Sequence, residues 1–152
     1  MSTHQLIADY LSGHDLRFLR DQDDDYVLVF GLADHASVFV NIIVVSERLV
    51  QVDATSIANV AVDACVALYP ILNRYHSIHR FPTAHLAFAD DEPLATLHTN
   101  QNLFIGEQDP AVSLTLQLSV AFSAIVDLFG FVRDAYPTYD TPVTATELGT
   151  VA

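Results

Sequence analysis

The chain has 152 residues, of which 51% are hydrophobic and 16% charged, enough for one domain with a core and too apolar for a disordered acidic tail. Nineteen acidic residues face six basic ones, all arginine, for a net charge of −13. No basic stripe is present to neutralise nucleic-acid phosphates or to dock on an anionic membrane, and P-loop or Schiff-base chemistry lacks its lysine.

Cys65 is the single cysteine, which excludes an intramolecular disulfide and suits a reducing cytosol or indifference to redox. Met1 to Leu11 has no basic region and only short apolar runs, so no signal peptide is expected and a cytoplasmic location is.

In chain order, Leu6, Ile7, Tyr10 and Leu11 recur at helical spacing. The spacing predicts a helix over His4 to Leu11, ended by Ser12-Gly13 with Gly13 as a left-handed cap. A short extended stretch, Leu16 to Arg20, precedes a polar turn carrying Asp21, Asp23, Asp24 and Asp25. Tyr26 to Phe30, Val38 to Val45 and Leu49 to Val52 are rich in β-branched and aromatic residues and read as three strands. Their connections are short enough for an antiparallel meander. Ile57 to Tyr69 changes to a three-and-four spacing, an amphipathic helix that Pro70 is expected to kink or end. Asn73 to Arg80 reads as a polar connector.

Thr83 to Asn100 alternates like a hairpin around Asp90-Asp91-Glu92-Pro93. Centring the turn between Asp91 and Glu92 puts Leu86 opposite Leu97, Phe88 opposite Ala95 and His85 opposite His98. Leu86, Phe88 and Leu97 should then be buried on one face. Asp109-Pro110 marks a helix start. Leu114, Leu118, Phe122, Ile125, Phe129 and Val132 form a stripe within a helix over Pro110 to Tyr136. Val112 to Val120 also alternates with the strand period, a conflict that the cap and the later stripe resolve towards helix. Such a helix is about 40 Å long at 1.5 Å per residue. It should therefore break near Gly130 or project at one end. The Val112 to Val132 run has a membrane span's length, but Asp127 and several Ser, Thr and Gln residues favour a buried helix. Residues 1–136 form one domain on this reading, and 137–152 a loose tail.

Candidate chemistry is sparse. Asp21, Asp23 and Asp25 open like a calcium loop, but Tyr26 and Leu32 stand where Gly and the bidentate Glu belong. His76 and His79 are three apart, and the His85/His98 pair could ligate zinc or sense pH. A half-exposed polar sheet face accounts for the same residues. No G-x-S-x-G elbow or G-x-G-x-x-G loop is present. Cys65 sits on the core side of its helix beside Ala61 and Leu68, as a small hydrophobe. The carboxylate clusters all fall in turns. No catalytic residue and no cofactor follow from these patterns.

The most specific stretch runs from Leu72 to Leu86, L-N-R-Y-H-S-I-H-R-F-P-T-A-H-L. Physically, Asn73 can cap a helix end, Arg80 and Phe81 anchor the start of a strand, and Pro82 suits its first position. Leu72-Asn73, Tyr75, Arg80-Phe81-Pro82 and the alternating strand together resemble the helix-to-strand signature of the YbjN-like family of bacterial sensory transduction regulators. The resemblance covers roughly Gln5 to Tyr136. His76 departs from it, where the family often carries a second Asn. It implies a fold similar to type III secretion chaperones, no known catalytic residue, and a protein-binding or chaperone-like regulator.

The expected architecture is α+β, a five-stranded antiparallel sheet flanked by helices in the order αβββαββα. The expected function is non-enzymatic binding of a protein partner or of a second copy. The alternative is a small-ligand or metal sensor using His85 and His98. Val112, Leu116, Val120 and Val126 lie off the core stripe of the last helix and form the expected dimer face, unless the first helix folds over them.

Overall fold

Residues 3–13 form the first helix, α1 (Thr3–Gly13), in a computed structural model that describes residues 1–31, 37–57, 60–88, 90–91 and 94–137, excepting the side chains of 62 and 63. The expected tail beyond 137, most of the 31–37 connection and the Glu92-Pro93 half of the hairpin turn lie outside the described residues. Ser2 starts α1: its Oγ accepts from the Gln5 amide at 3.2 Å, satisfying one of the donors a helix start leaves free. Thr3 fastens this end, donating its hydroxyl to the Glu47 carbonyl at 2.7 Å. Leu6, Ile7, Tyr10 and Leu11 are buried at the predicted spacing. The left-handed residue is Asp15, at φ 55°, rather than Gly13, which is the last helical residue.

The sheet holds β1 (Leu19–Arg20), β2 (Tyr26–Phe30), β3 (Val38–Ser46), β4 (Leu49–Ser56), β5 (Val60–Ala61), β6 (Thr83–Phe88) and β7 (Leu94–Phe104). Among the described residues it therefore has seven strands where five were expected. The additions, β1 and β5, have two residues each, too few to leave a period in the sequence. Their pairing depends on distant partners: β1 on β2, and β5 on β7. All these pairings are antiparallel, in the order β1-β2-β3-β4-β7, with β5 and β6 also on β7. β5 continues the line of β4: Thr55 faces His98, and after the break Val60 faces Ala95. Val40, Ile42, Val50, Val52, Ala54, Leu97 and Leu103 are buried beneath the helices. The alternate positions Val29, Phe39, Val45 and Phe104 are exposed, so the second face of the sheet is open.

The helix α2 (Val62–Ile78) is displaced from the predicted 57–69. Pairing to β7 holds Val60 and Ala61 extended, and the helix starts only when that ladder ends. Pro70 lies inside α2 without ending it. It is on the exposed side, as is Val66 one turn earlier, where a carbonyl that loses its helical donor still meets water. The expected polar connector is thus helical to Ile78, anchored by buried Leu72 and Tyr75.

The helix α3 (Pro110–Ala135) starts as the Asp-Pro signal predicts, with Asp109 Oδ1 accepting from the Val112 amide at 3.2 Å. It runs unbroken through Gly130. Leu114, Leu118, Phe122, Ile125, Phe129 and Val132 are buried, which settles the period conflict in favour of helix. By length and composition α3 could also cross a membrane. Here its apolar stripe forms part of the core of this chain. α1 packs beside it through Tyr10, whose hydroxyl lies 2.9 Å from Ser119 Oγ and whose ring meets Phe122.

Candidate functional site

The helix-to-strand stretch divides into an inward and an outward set. Leu72, Tyr75 and Pro82 are buried; Asn73, Arg80 and Phe81 are exposed. Asn73 does not cap α2, which runs on to Ile78 with His79 as its C-cap. The Tyr75 hydroxyl donates to the Phe81 carbonyl at 3.0 Å, and the His79 ring stacks on Tyr75 with centroids 4.2 Å apart. Burial raises the Tyr75 hydroxyl above its ordinary pKa, with Asp127 adding to the shift. The Phe81–Pro82 bond is cis. Pro82 precedes β6 rather than opening it. His76 does not pair with His79: its Nε2 accepts from the Ala84 amide at 3.1 Å, tying α2 to β6.

The open sheet face brings His85 and His98 together as the register predicts. Their rings stack, centroids 5.5 Å apart and planes 16° apart. His98 Nδ1 lies 2.9 Å from Thr55 Oγ1, and its Nε2 lies 2.7 Å from Thr96 Oγ1. Both ring nitrogens of His98 are therefore engaged by threonine hydroxyls, and in the neutral ring one nitrogen donates while the other accepts. Burial, then the neighbouring His85, holds His98 below its ordinary pKa against the opposing pull of Asp53. Among the described residues no group of three or more His, Cys, Asp or Glu is placed to share a metal ion.

The acidic turn is organised by its own backbone. Asp21 Oδ1 accepts from the amides of Asp23 and Asp25 at 2.9 and 3.0 Å, and Asp24 pairs with Arg20 at 2.6 Å. Cys65 is buried, which pushes its thiol pKa up, as suits a core residue.

The outer side of α3 is different in kind. Val112, Leu116, Val120 and Val126 are 45–62% exposed. α1 leaves them uncovered, since its contact runs through Tyr10 to Ser119 and Phe122. Beside Leu116 and Val120 lies a groove of about 230 Å³, lined by Phe81, Gln101, Asn102, Leu103, Leu116, Gln117 and Val120. The Gln117 amide Nε2 donates to the Phe104 carbonyl at 2.6 Å and to Ser113 Oγ at 2.9 Å. Gln101 Oε1 is buried and has no hydrogen-bond partner among the described residues. The sequence reading missed Gln101, Asn102 and Gln117. Their only signal was a run of amides, Asn100-Gln101-Asn102, inside a strand, and one amide amid an apolar helix.

No family model matches the sequence, and no curated protein matches it. The fold is YbjN-like. It is similar to the crystal structure of YbjN from E. coli, a protein provisionally assigned as a transcription regulator. The TM-score is 0.66 at 14% identity, over 90% of this chain and 97% of that one. It is also similar to an uncharacterized protein from Methanothermobacter thermautotrophicus, with a TM-score of 0.52 at 12% identity, over 88% of this chain and 98% of that one. At these identities the likeness concerns the fold.

Proposed function

We propose that the protein is a non-enzymatic, chaperone-like or regulatory domain of the bacterial cytoplasm that binds another protein. The observation carrying this reading is the outer side of α3. Four large apolar residues stand exposed there, and two of them share a groove with the exposed ring of Phe81. Contiguous apolar surface of this kind marks protein contacts in soluble proteins. The surface is covered by a partner protein or, at Val112, Leu116, Val120 and Val126, by a second copy. The provisional assignment of YbjN as a regulator and the resemblance of the Leu72–Pro82 stretch to that family agree with a binding role. The type III secretion chaperone likeness belongs to the same reading.

The test is affinity capture on the purified chain, followed by titration calorimetry of each retained protein in pure form, with sedimentation equilibrium of the chain alone. Micromolar or tighter binding of a purified protein supports the reading. Neither a binding partner nor self-association would count against it.

A further inference from the structure

The long strand β7 loses one neighbour part-way. β4 pairs with it up to Leu49 and Phe104, whereas the β6 ladder stops at Thr83 and Asn100. The Leu97 amide meets Ser56 and the Ile105 amide meets the Arg48 carbonyl, both on the β4 side. Odd-numbered residues of β7 therefore direct their backbone groups to β4, and even-numbered ones to the β6 side. Asn102 and Phe104 thus point their amides and carbonyls at an edge that no strand occupies among the described residues. One of these groups, the Phe104 carbonyl, is already met by a side-chain donor, Gln117 Nε2. The groove of Phe81, Leu116 and Val120 runs along this same edge, and Gln101, whose buried side-chain oxygen has no partner among the described residues, is one of its lining residues.

From this juxtaposition we infer that the groove takes an extended segment of a partner protein, which adds as a strand to β7 at Asn102–Phe104. Outward backbone groups on a strand edge are matched by another extended backbone. The apolar walls, Phe81, Leu103, Leu116 and Val120, call for apolar side chains at alternate positions. The groove lining is uncharged on a chain of net charge −13, so the segment is neutral or basic; an acidic one is repelled. The same charge disfavours a second copy as the occupant, since it would bring a further −13.

This site presupposes the protein-binding reading, and its test separates the two. The probes are blocked peptides of alternating valine and threonine, one set flanked by lysines and one by glutamates, titrated by fluorescence anisotropy. The lysine-flanked set should bind about tenfold or more tightly than the glutamate-flanked set. Binding should slow hydrogen exchange at the Asn102 and Phe104 amides. Asn102→Pro deletes an outward donor without breaking the β4 ladder, and Leu116→Glu places a charge on an exposed wall. Each should weaken peptide binding about tenfold or more. Leu116→Glu keeps the wild-type melting temperature and serves if Asn102→Pro disturbs the fold. Absence of peptide binding, equal binding by Leu116→Glu, or a dimer that Leu116→Glu dissolves would overturn the inference. Should a purified partner still bind the Leu116→Glu protein with unchanged affinity, the groove falls and the protein-binding reading stands.

Discussion

The Tyr75 hydroxyl donates to the Phe81 carbonyl at 3.0 Å, and so ties the last turn of α2 to the residues that lead into β6. Tyr75 is only 1% exposed, so its hydroxyl has little access to water in place of that carbonyl. Tyr75→Phe keeps the ring and removes the bond, and should cost about 1 kcal/mol in urea unfolding. Tyr75→Ala also empties the space between His79 and Phe131, and should cost about 3–5 kcal/mol. Equal small losses for both variants would show that the ring is not packed.

Phe81 is 56% exposed, against the sequence expectation of an anchored ring. Phe81→Ala should therefore change stability by only about 0.5 kcal/mol. Its effect should appear in binding at the groove instead. A large drop in melting temperature would mean that the ring is buried after all.

Leu118 and Leu116 are two residues apart and would share a face on a strand. In α3, Leu118 is fully buried and Leu116 is exposed. Leu118→Ala should cost about 2–5 kcal/mol, and Leu116→Ala about 0.5 kcal/mol or less. Similar losses for the two variants would contradict the helical assignment of 112–120.

His98 sets a pH dependence. Burial and His85 hold its pKa below 6.5 in the folded protein, so the unfolded chain binds the proton more readily. The stabilisation from neutral His98 is fully present above about pH 6.5 and is lost as pH falls through the lower folded value. His98→Gln should flatten this part of the stability–pH curve, measured by urea unfolding between pH 7.5 and pH 5, a range of about 2.5 units around the ordinary histidine value. An unchanged slope would show that His98 does not supply it.

Much of the fold was legible because it is written in local periods and caps. The alternation around Asp90–Pro93 is enough to set Leu86 against Leu97 and His85 against His98, since a one-residue slip would turn every apolar residue outward. Asp109-Pro110 likewise marks the start of α3, because a cap acts within a few residues. The tertiary structure decided what depends on distant partners. Two residues of β5 become a strand only because β7 lies alongside, and this moves the start of α2 from Ile57 to Val62. Phe88 follows the predicted register yet is 50% exposed rather than buried with Leu86 and Leu97. It lies at the end of β6, and register sets which face a side chain takes but not whether a neighbouring element reaches over it. The groove beside β7 arises in the same way. Phe81, Asn102 and Leu116 are far apart in sequence, and only the early end of β6 and the path of α3 bring them to one strand edge.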